Sequence, residues 1–283
     1  MTIRIVTDST ADIPPELAEQ HAITVVPLIV LFGDEQLRDG VDITSEKFFR
    51  RLVREPILPT TSQPSVGAFR EVYERLRDEG ATEIVSIHVS AKLSRTIESA
   101  RQAAAELDGV RVTHINSELT TLGLGLGVIA AAQAVEAGNT VEEVEATARD
   151  HFRRTHLFIL VDTLEYLRRG GRIGRAQELI GSLLQFKPLL ALEDGEVVPI
   201  GRARTKARAI EELLRRAAEF RPIAEAMAVH ATTPEDLEYL VERIHGIAPD
   251  APITLGRVTP VIGVHTGPGA LAFAVVTAPA PTG

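Results

Sequence analysis

The sequence contains no cysteine and no tryptophan, only two methionines, and just 4% aromatic residues. The absence of cysteine excludes disulfides, thiolate catalysis and cysteine-ligated metal. So few rings leave little with which to stack nucleic-acid bases. Positive charge is in deficit: the formal net charge of -9 argues against a general binder of nucleic acid or of anionic membrane, while leaving room for a local basic patch. Long apolar runs are also missing. The longest, Leu119 to Val135, is broken by Thr120, Thr121, three glycines and Gln133, and reads as a buried helix with its entry loop, not as a membrane span. Eight histidines occur, mostly singly and without a metal-ligand pair on one helical face, so no metal and no cofactor are expected. Met1 to Asp8 reads as a strand entering a polar turn rather than as a signal peptide, which makes the cytoplasm the expected location.

What is present is a chain of 283 residues, 45% hydrophobic, long enough for two modest domains. From Met1 to about Gly138, short β-branched runs alternate with amphipathic ones. This pattern predicts a mainly parallel sheet with helices on both faces, a Rossmann-like three-layer α/β domain. Strands are expected at Ile3–Thr7, Ile23–Phe32, Glu83–Val89 and Val110–Ile115. Thr44 and Ser65 are read as N-caps of helices reaching about Arg54 and Glu79. The composition shifts near His156, so domains of 1–155 and 156–283 are expected. In the second, a hairpin around Asp194-Gly195 and an irregular mixture of strands and helices predict an α+β domain.

The stretch that carries most chemistry is Pro59-Thr60-Thr61-Ser62-Gln63-Pro64-Ser65. Its two prolines disfavour helix and remove two backbone donors, leaving an extended segment of short hydrogen-bonding side chains beside a helix N-terminus. Such a place suits an anionic group, although a plain polar loop with a cap has the same composition. Asp8-Ser9, Ser90 to Thr96 and Asn116-Ser117 are further polar strand ends, and in an open α/β sheet such ends converge on one edge. The G-x-G-x-G run at Gly123, Gly125 and Gly127 lacks the last interval and the acidic residue of a dinucleotide site, and implies close packing or close approach to a ligand. His265, between an apolar strand and Thr266-Gly267-Pro268-Gly269, is expected on a turn. Many hydroxyls with one histidine suit holding a carboxylate by several hydrogen bonds. The alternative is a serine-based acyl hydrolase or transferase using Ser62 or Ser94 with His265, against which stands the lack of a G-x-S-x-G elbow. Two basic stretches, Arg168 to Arg175 and Arg202 to Arg208, read either as solvated helix ends or as a face for an acidic partner.

Several stretches, in order, resemble the DegV family of bacterial lipid-binding proteins. They are Val6-Thr7-Asp8-Ser9-Thr10-Ala11-Asp12-Ile13; Thr60 to Pro64; Leu93-Ser94-Arg95-Thr96; Ser117 with Leu122-Gly123-Leu124-Gly125; Leu164 to Ile173; Lys187-Pro188; and Val264 to Gly269. The resemblance implies a non-catalytic, two-domain protein that buries one long-chain fatty acid. The same likeness implies that it presents the carboxylate to a separate ATP-dependent fatty acid kinase subunit. By that likeness Thr61, Ser62, Ser94 and His265 meet the carboxylate, with Asp8, Ser9, Ser117, Thr266 and Gly267 in support. Arg169, Arg172 and Arg204 then face the partner. Two positions depart from the family pattern: Arg95, where glycine is usual, and Asn116, where aspartate is common.

Overall fold

The computed structural model describes residues 2–180 and 186–279. The chain opens with β1 (Ile3–Asp8), a 3-10 turn at Ser9–Ala11 and α1 (Pro15–Gln20). β2 (Ile23–Val26), β3 (Ile29–Phe32) and β4 (Glu35–Arg38) follow, then α2 (Ser45–Arg54), β5 (Thr60–Ser62) and α3 (Val66–Asp78). Next come β6 (Glu83–His88), α4 (Thr96–Ala104), β7 (Arg111–Asn116), α5 (Thr121–Glu136) and α6 (Val141–Arg154). The remainder comprises β8 (Thr155–Leu160), α7 (Glu165–Arg169), a 3-10 segment at Gly174–Leu179, β9 (Lys187–Glu193) and β10 (Glu196–Ala203). It continues through α8 (Lys206–Ala217), β11 (Ile223–His230), α9 (Pro234–Ile247), β12 (Ile253–Arg257), α10 (Pro260–Thr266) and β13 (Leu271–Thr277).

Strands β2-β1-β6-β7 form the parallel sheet that βα alternation predicts. A six-stranded sheet, β10-β9-β8-β13-β11-β12, is antiparallel except for its β11–β12 edge pair. The predicted caps are present: Thr44 accepts from the Lys47 N–H and Ser65 from the Ala68 N–H. Asp194 and Gly195 make the β9–β10 turn with positive φ.

Two expectations need correction. The run Ile23–Phe32 is not one strand. Pro27, which has no N–H to give a sheet ladder, separates β2 from β3, and β3 leaves the parallel sheet to form an antiparallel sheet in the order β4-β3-β5. His265 is not on a turn but in the last turn of α10. Pro260 sits in the first turn of that helix, where its missing N–H costs nothing. Gly263 lets α10 close on α2, since a β-carbon there would stand 2.6 Å from the Phe48 ring.

Helix α5 is buried on almost every side and packs on both large sheets. Leu124 and Val128 enter the core under the parallel sheet, whereas Leu119, Leu122 and Leu126 enter the core under the six-stranded one. The second core also takes in Leu28, Val30 and Phe32. The glycines of α5 are packing devices: a β-carbon on Gly125 would lie 2.4 Å from the Ala11 carbonyl oxygen, and one on Gly127 would lie 2.0 Å from the Phe152 ring. No helix among the described residues is long and apolar enough to cross a membrane.

Candidate functional site

Where α5, α10, β5 and the six-stranded sheet meet, they enclose a narrow cavity of about 100 Å³. Leu28, Val89, Ile159, Leu192, Val258 and Ala272 supply much of its apolar wall. Thr61, Ser62, Ser94, Arg172, His265 and Thr266 also line it. Four of these polar residues form one neighbourhood. Thr61 Oγ1 lies 3.0 Å from His265 Nε2, which joins β5 to α10 across 204 positions of sequence. Arg172 donates from Nε to the Leu93 carbonyl, next to Ser94, and from Nη1 to the Gly170 carbonyl.

Burial, with the Arg172 charge adding to it, pushes His265 down to about 4, so its imidazole is neutral near pH 7. Its Nδ1 is buried and has no partner, and it faces Gly170 so closely that a β-carbon there would lie 2.1 Å away. A proton is therefore better placed on Nε2, donating to Thr61. The Thr61 hydroxyl then has its own proton to offer an anion in the cavity.

The serine-hydrolase alternative finds no support in this geometry. His265 engages Thr61, while Ser62 donates to the Gln63 carbonyl at 3.2 Å and Ser94 bonds Thr96 at 2.8 Å. A nucleophilic serine needs the base on its own hydroxyl.

Asp8, Ser9 and Ser117 lie outside the cavity wall. Asp8 Oδ2 meets His88 Nδ1 at 2.9 Å, His88 Nε2 meets Ser86 at 2.7 Å, and Ser86 meets Tyr73 at 2.7 Å. This Asp–His–Ser order resembles a catalytic triad, but Asp8, His88, Ser86 and Tyr73 are all fully buried, so no substrate reaches it. Asp8 also accepts from the Thr10 N–H and hydroxyl, and Thr10 lines the cavity. Ser9 accepts from the Leu28 N–H at 3.0 Å, and Ser117 donates to the His88 carbonyl. Gly267 caps α10 with a φ of 78° and lies against Tyr166.

Of the basic residues, Arg172 lines the cavity, whereas Arg169 is exposed and paired with Glu165. Arg204 lies over the Phe186 ring at 5.7 Å. Arg95 precedes α4 as its N-cap residue without a capping side-chain bond. Asn116 accepts from the Ala91 N–H at 3.0 Å, which ties the end of β7 to the segment after β6. No group of three or more acidic or histidine side chains suited to a metal ion occurs among the described residues.

Sequence reasoning assigned Arg172 to the surface and passed over Gly170. A guanidinium two positions past a glycine gives no sign in the chain of which way it folds.

Comparison with known proteins bears on the whole chain. Residues 2–278 match the family model described as an uncharacterised protein of the DegV family. A DegV domain-containing protein of Streptomyces coelicolor is 41% identical over 278 residues, covering 96% of this chain and 98% of that protein. Among solved structures, a DegV family protein from Thermus thermophilus described by its fatty acid binding superposes with a TM-score of 0.90 at 37% identity, covering 98% of this chain and 100% of that one. DegV of Bacillus subtilis, described as a fatty acid binding protein, gives 0.89 at 34%, with the same coverage of both chains.

Proposed function

The chain belongs to the DegV family, and on that footing we propose that it binds one long-chain fatty acid in the α5–α10 cavity. The acyl chain lies along the apolar wall, and the carboxylate meets Thr61, Ser62, Ser94 and His265, with Arg172 supplying positive charge. Asp8, Ser9 and Ser117 hold the surrounding backbone, and Thr266 and Gly267 shape the end of α10. The observation that carries this reading is the composition of one cavity, apolar over most of its wall and polar where β5, α10 and Arg172 come together. Each buried methylene contributes about 0.8 kcal/mol and each donor to a charged acceptor roughly 1.5–3 kcal/mol. For a sixteen-carbon acid these gains offset both the ordering cost of binding and the widening that a cavity of about 100 Å³ undergoes to take it. The fatty-acid binding of the Thermus thermophilus and Bacillus subtilis relatives supports the assignment.

The same reading gives the protein no catalysis of its own. It is a cytoplasmic subunit, with lobes of residues 1–155 and 156–283, that presents the carboxylate to an ATP-dependent fatty acid kinase. Arg169 and Arg204 then contribute to the basic face for that partner, and association weakens as salt rises.

Native mass spectrometry before and after organic extraction tests the first step. A fatty-acid mass bound to the wild type, and reduced about tenfold or more in Thr61→Ala and His265→Ala, is the expected result; an apo mass in every preparation, even after loading with palmitate, overturns it. The second step is tested by adding a purified fatty acid kinase and ATP to the loaded protein. Acyl phosphate should form, and its absence with an active kinase removes the presentation role while leaving lipid binding intact.

A further inference from the structure

Two buried carboxyl groups that the lipid site does not use lie together where four chain segments cross. Asp12 follows the 3-10 turn after β1 with a left-handed φ of 49°. Its Oδ1 accepts from the Thr259 N–H at 3.0 Å, and its Oδ2 accepts from the Thr121 hydroxyl. Asp39, just past β4, is 2% exposed, and its N–H donates to the Leu28 carbonyl at 2.9 Å. The Ser9 and Thr259 hydroxyls and the Val261 N–H act on its carboxyl, yet neither Asp39 oxygen completes a hydrogen bond. Both residues border the hollow beside α1, but the two Asp39 oxygens are themselves buried and turn no surface to it. Thr259 donates from its hydroxyl to the Ser9 carbonyl at 3.3 Å, which closes the crossing.

The tied segments also build the lipid cavity. Thr10, Leu28, Thr121, Val261, His265 and Thr266 come from them, and α10 carries the histidine that meets Thr61. We propose that Asp12 and Asp39 form a proton-operated clasp: while the pair holds a proton the segments stay locked around the cavity, and losing it loosens the start of α10 and speeds lipid release. The clasp rests on the reading that this cavity holds a fatty acid.

The direction follows from burial. Burial pushes Asp39 up to about 8, with the Asp12 charge adding to it, and pushes Asp12 up to about 6 against the pull of Thr121 and Thr259. Between the ordinary carboxyl range near 4 and about pH 8, the locked state keeps a proton that an opened or unfolded chain gives up. The locked state therefore loses ground steadily as pH rises through that window. Above it, a buried Asp39 charge without a completed hydrogen bond faces the Asp12 charge. The other charged groups around the crossing are Asp8 of β1, held by His88, Glu16 of α1 and Arg257 of β12, which line the adjoining hollow, and Arg38 of β4, paired with Asp42.

The test is release of a pyrene-labelled dodecanoic acid into excess serum albumin from pH 6 to 9.5. His265 lies below this range, at about 4. The release rate of the wild type should rise about tenfold, and that of Asp39→Asn should stay near the slow value throughout. A flat wild-type profile, or the same rise in both proteins, overturns the clasp. Amide exchange in the wild type alone covers the case of a variant that fails to fold. Exchange at Val261 to Val264, corrected for intrinsic rate and referred to α3, should accelerate over the same range; equal protection at pH 6 and 9.5 overturns the clasp. A probe that binds at no pH refutes the lipid reading, and the exchange measurement then decides the clasp by itself.

Discussion

His88 and His265 each sit among hydroxyls and a charged residue, and the two surroundings do opposite work. His88 is fully buried between Asp8 and Ser86, in an edge-to-face contact with Phe69 whose ring centroids are 5.1 Å apart. Both of its nitrogens are occupied, and Asp8 accepts four hydrogen bonds in all. His265 has one nitrogen on Thr61 and the other without a partner, and it lines a cavity. A satisfied polar network in a closed core gives rigidity. An unsatisfied one at a cavity wall gives capacity to bind. The kinds of residue do not separate these cases; completeness of hydrogen bonding and access do.

The largest effect expected from this contrast is on stability. Asp8→Ala leaves the His88 ring and the donors of Thr10 and Val89 buried without an acceptor, at a cost of about 3–5 kcal/mol. Urea unfolding should show the loss, and a change under about 1 kcal/mol would erase the distinction between a histidine closed in the core and one at a cavity wall.

The pH dependence of His265 comes next. Its folded value is depressed to about 4 from an ordinary 6.5, so the unfolded chain takes up a proton that the folded chain refuses between those values. The contribution of His265 to stability is therefore full above about pH 6.5 and is lost as pH falls towards 4, by about 3 kcal/mol. Denaturation midpoints of wild type and His265→Gln at pH 7 and 4.5 read this directly, and the variant should lose less.

The smallest effect sharpens the binding half. Gly170→Ala places a carbon against His265 Nδ1 without a backbone penalty, because Gly170 has an ordinary φ of -73°. Fatty-acid affinity should fall about tenfold, roughly 1.4 kcal/mol, with the melting temperature little changed. An unaltered affinity would mean that the imidazole position does not matter to the ligand.

Much of the fold was legible because it is written in local chemistry. Thr44 and Ser65 announce helix starts, Asp194-Gly195 a hairpin, and the β-branched runs of β1, β6 and β7 a parallel sheet. The three-stranded sheet was not legible. Its strands are three or four residues long, and β5 is made of Thr60, Thr61 and Ser62, whose composition suits a loop equally well. Helix α10 was hidden by Val261, Ile262, Gly263 and Val264, poor helix formers that are held in place by packing on α2. At the candidate site, Thr61, Ser62, Ser94 and His265, which line one cavity, stood out as an unusual supply of hydroxyls and a lone imidazole. Asp12 and Asp39 did not, since an aspartate beside a proline pair or before a glycine is ordinary turn chemistry.

By itself the sequence determined the classes of chemistry open to this protein, the βα alternation that makes a parallel sheet, and the family to which it belongs. These follow from composition and from interactions within a few residues. Only the tertiary structure decided which polar residues share a cavity, since Thr61 and His265 are 204 positions apart and meet through packing. It alone decided that Asp8 is sealed while Arg172 is not, because burial is a property of everything that surrounds a side chain and no short stretch of sequence carries it.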